Sequence, residues 1–411
     1  MRRALVALVA LVVGLTVALQ VLAGPASAAG PRALPPLPDQ GAKGEWWFTS
    51  WRIPEVWQAG ARGQGVTVAV VDSGVQASFP ELAGAVLPGT DFAGGDGRVD
   101  AGPDEHERGH GTRMALFIAG QGGPLKLVGV APEAKILPVS SDSGSTGQEI
   151  RWAVDHGAKV VNLSFSSIGQ TTCPDETAQG VRYALDHGAV VVAGSGNDGV
   201  QSAGDPPADC PGVLAVGAVD LRARVWDKSN RGPYVSATAP GVDMRSPSVK
   251  REIGASSGTS DSCALTSAAV ALVWSRYPKL TNRQVVARLL ATVRDEGPPG
   301  RDDAFGYGVI RPYQAITTDV PADAPNPVFD AVLAAVPAAT VPPAAPSARA
   351  GAVSTPDTRG AAAAAEEPKR LLLTAVVVAV VVVGVLVFVV VGITLAVRRS
   401  RRPPAPTQWR P

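Results

Sequence analysis

The sequence has almost no net charge, and it contains only four histidines and three cysteines. Its 37 Lys and Arg residues balance 36 Asp and Glu residues, so the formal net charge is +1 over 411 residues. A balance so close to zero excludes a generally basic nucleic-acid-binding protein. Neither an HExxH zinc motif nor a Gly-rich phosphate loop occurs, and we therefore expect no metal ion and no other cofactor. Calcium binding by the acidic loop Asp91–Glu107 is the alternative to an ordinary solvated loop.

Two apolar runs bracket the chain, and the first covers residues 1–29. It opens with Met1-Arg2-Arg3, continues with Ala, Leu and Val, and ends in Pro25-Ala26-Ser27-Ala28-Ala29. A basic start, an apolar centre and a small-residue A-x-A end predict a secretory signal peptide, cleaved after Ala28 or Ala29. An uncleaved membrane anchor is the alternative.

The second run, residues 371–397, contains 27 residues without a charged side chain. A helix needs about 20 apolar residues to cross a bilayer, so this run predicts one C-terminal transmembrane helix. Positive charge stays on the cytoplasmic side of a membrane, and four arginines follow the run directly: Arg398, Arg399, Arg401 and Arg402. We predict a single-pass cell-membrane protein with its main domain outside the cytoplasm and a basic cytoplasmic tail over residues 398–411.

Composition divides the rest of the chain. Residues 318–370 are rich in Pro and Ala and cannot bury a core, which predicts a stalk. The folded domain is then expected over residues 45–317. Residues 30–44 form a short N-terminal extension with too few residues to fold independently. We expect the tryptophans at the start of the domain to pack along its surface: Trp46, Trp47 and Trp51.

Three cysteines fit an extracytoplasmic location. Cys173 and Cys210 are 37 residues apart and are the expected disulfide pair. Cys263 lies in a helical pattern rich in Ala, Ser and Thr, and we expect it to be a buried free thiol. Other pairings stay open, because connectivity cannot be deduced from the sequence alone.

Short runs dense in Val alternate with helical patterns through the folded domain. Continuous apolar runs are typical of strands buried on both faces of a parallel sheet. The alternation predicts a three-layer α/β domain with a mostly parallel buried sheet. Ligands bind such sheets outside the carboxyl ends of the strands. The predicted strands are Val66–Val71, Ala134–Val139, Lys159–Leu163, Ala189–Ala193 and Val213–Val219.

Four polar residues follow these strands or open helices. Taken singly, each has an ordinary structural interpretation as a turn residue, a helix-start residue or a helix cap. Taken together, they carry an acid, a base, an amide and a hydroxyl, in an order that includes the Asp, His, Ser order of one known catalytic triad. The four are Asp72, His110, Asn197 and Ser260. The other histidines have no catalytic setting: His106, His156 and His187.

The segments VAVVDSG, GHGTRMA, AGSGNDG and GTS around these residues resemble the four signature blocks of the subtilase family, the subtilisin-like serine proteases. The resemblance runs from about Trp57 to Leu290, and Phe305–Gly308 is similar to the closing segment of the family. Within the family, the signal peptide, the stalk, the single span and the Cys173/Cys210 pair resemble the mycosins. Those are membrane-anchored proteases of type VII secretion in actinobacteria.

The resemblance implies a subtilisin-like fold and a role for each residue. Ser260 would attack the scissile carbonyl, His110 would transfer the proton, and Asp72 would orient the imidazole. Asn197 and the backbone N–H of Ser260 would form the oxyanion hole. A protein or peptide substrate would pair by strand addition with residues in Asn162–Ser166, and the residues implied to bind it are Leu163, Ser164 and Phe165.

One segment departs from the family pattern. Asp261-Ser262-Cys263-Ala264 follows Ser260 where the family has a small-residue helix start that contains Pro, and Asp261 adds a negative charge beside the oxyanion hole. Two functions are therefore considered. The first is a membrane-anchored extracytoplasmic serine endopeptidase that acts with type VII secretion machinery. The alternative is a weakly active or inactive scaffold subunit of a secretion complex, built on the same fold.

Overall fold

The protein is described from a computed structural model, which describes residues 45–94, 109–141, 144–166, 170–248 and 250–335. The predicted signal peptide, the N-terminal extension, the membrane span, the cytoplasmic tail and most of the predicted stalk lie outside these residues. Within them, no helix is both long enough and apolar enough to cross a membrane.

Helices and short strands alternate along the described chain. The helices are α1 Trp46–Ser50, α2 Ile53–Gln58, α3 His110–Ala119, α4 Thr146–Asp155, α5 Asp175–Asp186, α6 Thr259–Arg276, α7 Asn282–Leu290, α8 Pro312–Thr317 and α9 Pro327–Ala335. The strands are β1 Thr67–Asp72, β2 Thr90–Asp91, β3 Gln121–Gly122, β4 Leu127–Val128, β5 Lys135–Ser140, β6 Val160–Leu163, β7 Val190–Gly194, β8 Leu214–Val219, β9 Ala237–Pro240, β10 Met244–Pro247 and β11 Ile253–Ser256.

The central sheet confirms the predicted parallel arrangement. Seven of the described strands pair in the order β2-β5-β1-β6-β7-β8-β9, and every pairing is parallel. The five strands predicted from apolar runs are all present, with ends that differ by one residue or less. Short strands with mixed composition were not predicted, among them β2, β9 and the antiparallel hairpin β10–β11.

The sheet is covered on both faces, as a three-layer domain requires. Side chains alternate across a strand, and in β1 they enter two different apolar clusters. Val68 and Val70 pack with residues of α3 and α6 in one cluster. Ala69 and Val71 pack with residues of α4 and α5 in the other. Both faces of the sheet are therefore core, which explains why the strands read as continuous apolar runs.

The N-terminal helices are buried more deeply than the sequence predicts. Trp47 and Trp51 are 2% and 3% exposed and belong to the main core cluster rather than lying along the surface. The Trp47 ring meets Phe117 of α3 edge-on, with 5.8 Å between ring centroids. Large buried aromatic rings contribute strongly to a core. Because these rings pack against α3, α1 and α2 belong to the same layer as α3.

The described fold also continues past residue 317, where composition predicts the domain to end. Helix α9 covers Pro327–Ala335, and its Val328 and Val332 are buried in the two core clusters. Arg283 of α7 forms an ion pair with Asp330 at 2.6 Å. A segment rich in Pro and Ala packs here because two valines one helical turn apart present an apolar stripe to the domain.

The predicted disulfide joins Cys173 and Cys210, whose Cα atoms are 4.9 Å apart, and Cys263 is a buried free thiol. Cross-linking residues 37 apart removes conformational entropy from the unfolded chain. We expect the double variant Cys173→Ser/Cys210→Ser to lose about 2–4 kcal/mol of unfolding free energy, measured by denaturant titration. Reducing agent should produce the same loss in the wild type and no further loss in the variant. Equal stability of variant and oxidised wild type would contradict this prediction.

Candidate active site

The four polar residues identified in the sequence lie at the end of the central sheet that is formed by the carboxyl ends of its strands. Asp72 is the last residue of β1, and His110 is the first residue of α3. Asn197 follows β7, and Ser260 is the second residue of α6. Because all seven strands are parallel, the loops that follow them meet at the same edge. The structure therefore brings the four residues to the carboxyl ends of the strands, and their roles in binding or catalysis stay a prediction.

The side chains of Asp72 and His110 form a partly buried pair. The Nδ1 atom of His110 lies 2.8 Å from Oδ1 and 2.9 Å from Oδ2 of Asp72. Asp72 is 6% exposed and also accepts a hydrogen bond from the backbone N–H of Ser73 at 2.7 Å. A carboxylate that accepts the Nδ1–H places the imidazole in the tautomer whose Nε2 has a free lone pair. The pair can therefore supply a base.

Glycine at position 111 allows this pair to form. A Cβ atom there would lie 2.2 Å from the carbonyl oxygen of Gly74 and 3.0 Å from the Cβ of Asp72. The first turn of α3 thus touches the turn that follows β1. His110 reaches Asp72 because no side chain stands between these two backbones.

Ser260 lies at the start of α6 and is partly exposed. Its hydroxyl donates to the carbonyl oxygen of Ser164 at 3.0 Å, and the hydroxyl of Ser164 donates back to the carbonyl oxygen of Ser260 at 3.2 Å. These reciprocal bonds tie the start of α6 to the segment that follows β6. The hydroxyl of Ser260 would have to rotate away from Ser164 to reach a base.

The predicted substrate strand is only partly available for pairing. Leu163 is the last residue of β6 and pairs with Val71 on one side and Ala193 on the other. A peptide cannot add to a strand that already has two neighbours, so Leu163 is not a substrate-binding residue of the kind predicted. Ser164 and Phe165 lie beyond the end of β6, and pairing of a peptide with these two residues stays a prediction.

Asn197 is held in one orientation by the start of α6. Its Oδ1 accepts hydrogen bonds from the backbone N–H of Thr259 at 2.9 Å and from the Thr259 hydroxyl at 3.0 Å. With the oxygen engaged, the amide nitrogen of the exposed Asn197 remains as a donor. Thr259 was not predicted to have a role of its own, although it stands beside Ser260 in the GTS segment.

Comparison with known proteins identifies the family to which the chain belongs. Residues 63–308, more than half of the chain, match the model of the subtilase family, peptidase family S8. The chain belongs to the subtilase family. Members of this family are serine endopeptidases, so the family predicted from the four sequence blocks is confirmed.

Two curated relatives are proteases. This subtilase is 31% identical to the minor extracellular protease Epr of Bacillus subtilis over 67% of its own length and 42% of that protein. It is also 31% identical to the thermostable alkaline protease of Halalkalibacterium halodurans, over 62% of its own length and 69% of the relative. The chain therefore spans less than half the length of Epr.

The solved structures that resemble this subtilase include proteases of type VII secretion. MycP1 from Mycobacterium smegmatis matches with a TM-score of 0.56 and 30% identity, over 67% of this chain and 85% of that one. The MycP3 protease from the type VII (ESX-3) secretion system matches with a TM-score of 0.57 and 29% identity, over 67% and 88%. These similarities agree with the resemblance to the mycosins.

A buried polar network supports the loop that carries Asn197 in this subtilase, and the sequence analysis missed it. The amide nitrogen of Asn230 donates to Oδ2 of Asp205 at 2.8 Å, and its oxygen accepts from the backbone N–H groups of Asp198 and Val200. Gly196 fits directly above, since a Cβ there would lie 2.0 Å from Asp205. The loop is therefore braced on both sides of Asn197.

Asp205 should make the stability of this subtilase depend on pH. Burial raises the pKa of Asp205 to about 6. The folded state holds this proton more tightly than the unfolded state, so its stabilising contribution is complete below about pH 4 and is lost as pH rises through 6. Asp205→Asn should remove that loss. We expect the variant to gain about 1–2 kcal/mol on the wild type between pH 4.5 and 7.5, measured by denaturant unfolding at both pH values.

Asp227→Asn is a suitable control, because Asp227 is exposed. This variant should follow the wild-type pH dependence. A parallel pH dependence of Asp205→Asn and the wild type would contradict the assignment of the proton to Asp205.

Proposed function

We propose that this protein is a membrane-anchored extracytoplasmic serine endopeptidase that uses Ser260, His110 and Asp72 as a catalytic triad. The observation that carries the proposal is the Asp72–His110 pair, with Nδ1 of the imidazole 2.8 Å from the buried carboxylate. The partly exposed Ser260 lies at the same end of the sheet. Membership of the subtilase family supports the same assignment.

The geometry supports acyl transfer in two steps. In the first, the Ser260 hydroxyl turns from Ser164 towards Nε2 of His110, its proton passes to that nitrogen, and its oxygen bonds to the scissile carbonyl carbon. The C–N bond then breaks as His110 returns the proton to the leaving amine. A water molecule attacks the acyl group in the same way, which releases the carboxylic acid and restores the Ser260 hydroxyl. Asp72 stabilises the imidazolium in both steps.

The negatively charged oxygen of the tetrahedral intermediate, the oxyanion, would be stabilised by two hydrogen-bond donors that the fold already holds in position. One is the amide nitrogen of Asn197, oriented by the two hydrogen bonds from Thr259. The other is the backbone N–H of Ser260 at the amino end of α6, where the helix dipole adds positive potential. Donors already in place need no reorganisation as negative charge develops, and this is the reason they accelerate acyl transfer.

A serine-directed fluorophosphonate tests this function. The wild-type protein should be labelled covalently, and Ser260→Ala should not be labelled, because the nucleophilic oxygen is absent. Ser257→Ala is a matched control three residues earlier in an exposed position, and it should be labelled like the wild type. Labelling that persists in Ser260→Ala would reject Ser260 as the nucleophile.

The membrane anchor and the association with type VII secretion are part of the same proposal. The apolar run 371–397, with arginines after it, supports a single span with the catalytic domain outside the cytoplasm. The similarity to MycP1 and MycP3 supports a role beside type VII secretion machinery. Its substrates would then be proteins or peptides at the cell surface, which comparison of surface proteins from wild-type and Ser260→Ala cells by mass spectrometry would identify.

A scaffold role is the second candidate, and the segment Asp261-Ser262-Cys263-Ala264, which departs from the family pattern after Ser260, is the observation that favours it. Secretion that survives in a Ser260→Ala strain but fails in a deletion strain would show such a role. Loss of secretion in both strains would show that secretion requires catalysis.

A further inference from the structure

The residue after the proposed nucleophile is a carboxylate in the interior. Asp261 lies in the first turn of α6 and is only 1% exposed. Its Oδ2 accepts a hydrogen bond from the hydroxyl of Ser256, at the end of β11, at 2.6 Å. Its Oδ1 lies 3.8 Å from Nε of Arg113. Asp261 therefore connects the start of α6 with two other elements.

Arg113 links this carboxylate to the helix that carries His110. It lies in α3 three residues after His110, which is almost one helical turn. Its backbone N–H donates to Gly109, the residue before His110, at 2.9 Å. The Nε atom of Arg113 is buried and has no hydrogen-bond partner. The attraction between Arg113 and Asp261 therefore acts directly between the first turns of α3 and α6.

Stability alone is a poor reason to keep this pair. Burial raises the pKa of Asp261, and the nearby Arg113 opposes that effect. A buried ion pair can often be replaced by apolar residues of similar volume without loss of stability, because the desolvation of both charges offsets their attraction. The separation of 3.8 Å is also too long for a hydrogen bond that would repay this desolvation. A role in the geometry of the site accounts for the pair better.

We propose that Arg113 and Asp261 form a positioning pair that sets the first turn of α6 against the first turn of α3. The pair thereby keeps the hydroxyl of Ser260 within reach of His110 once it leaves Ser164. Neither side chain exchanges a proton or contacts the scissile bond in this mechanism. The inference rests on the proposed function of Ser260 and His110 and adds two residues to the machinery that supports them.

Steady-state cleavage of a peptide by the full-length protein in detergent tests the pair. Arg113→Met and Asp261→Asn remove one charge each with little change in shape. Each should lower kcat by about 10- to 100-fold, because a small displacement of reacting groups has effects of this size. KM should stay within about twofold, because substrate binding is not altered. Arg113→Lys keeps the charge and should recover most of the wild-type kcat.

The double variant Arg113→Met/Asp261→Asn provides a test of coupling. If the two residues act as one unit, the double variant should lose no more kcat than either single variant. If they act independently, the two losses should multiply. The rate of fluorophosphonate labelling should fall in the same order as kcat, because labelling also requires a serine positioned against its base.

A second ion pair, between two partly buried side chains, provides the control. Nε of Arg62 lies 2.6 Å from Oε1 of Glu133. Both residues come just before β1 and β5 begin, at the end of the sheet opposite to the proposed active site. Arg62→Met should lower the Tm and leave kcat unchanged at temperatures well below that Tm. A loss of kcat in Arg62→Met equal to that in Arg113→Met would show that the effect reflects stability and would overturn the proposal. A folded Arg113→Met variant with the wild-type kcat would also overturn the proposal. A wild-type protein that neither cleaves nor labels would overturn the proposed function itself.

Discussion

His110→Ala is expected to lower kcat by about 10⁶-fold, because the variant lacks the base that activates Ser260. Nothing else among the described residues replaces it. His156 and His187 lie at the carboxyl ends of α4 and α5, while Ser260 lies at the carboxyl edge of the sheet. Single-turnover and steady-state cleavage of a peptide substrate would measure the loss, and circular dichroism would verify that the variant is folded.

His156→Ala and His187→Ala are the matched controls for this variant. Each of these rings stacks on an aromatic ring four residues earlier, on Trp152 and Tyr183 respectively, with 3.8 and 3.9 Å between centroids. Their removal should leave kcat within about twofold of the wild type, since surface changes away from the site have small effects. Activity that survives in His110→Ala but falls in either control would place the base elsewhere.

Asp72→Asn is expected to lower kcat by about 10⁴-fold while the fold is retained. Asn has the same shape as Asp, so it can remain in the buried site beside His110. Its amide nitrogen, however, donates a hydrogen bond and favours the tautomer in which Nδ1 accepts. Nε2 then carries the proton and cannot take another from Ser260. KM should change little, because the buried Asp72 carboxylate faces the imidazole and we expect no contact between it and the peptide.

Asp91→Asn is a suitable control for this second variant. Asp91 ends strand β2, which is separated from β1 by β5. Its carboxylate accepts a local backbone hydrogen bond from Ala93 at 2.8 Å. Equal effects of Asp72→Asn and Asp91→Asn on kcat would mean that charge at this sheet edge matters and the tautomer of His110 does not. Retention of wild-type kcat in a folded Asp72→Asn variant would remove Asp72 from the mechanism.

Local patterns were sufficient to predict the framework of the domain. The apolar runs that became β1, β5, β6, β7 and β8 are buried on both faces, so continuous Val-rich segments are their direct signature. The positions of Asp72 at a strand end and Ser260 at a helix start could be predicted in the same way. The short strands β2, β9 and β10 could not, because their few residues have no distinct pattern.

Relations between distant segments account for the differences. Leu163 belongs to a strand that is flanked on both sides, which depends on the order of strands in the sheet. The burial of Trp47 depends on Phe117, which is 70 residues away, and the packing of α9 depends on Val328 and Val332 meeting the two core clusters. A pattern of single residues does not contain these contacts.

The sequence by itself determined the family and the parallel sheet and predicted the four residues of the proposed mechanism, because each depends on a local motif. The pairing of Cys173 with Cys210 was expected from the sequence, and the structure decided it. Only the tertiary structure decided how the four residues are held. It placed Asp205 and Asn230 beneath the Asn197 loop, Thr259 against the Asn197 amide, and Arg113 against Asp261. The near-neutral composition gave no sign of these contacts, because a buried charge gains its effect from the group that packing brings beside it.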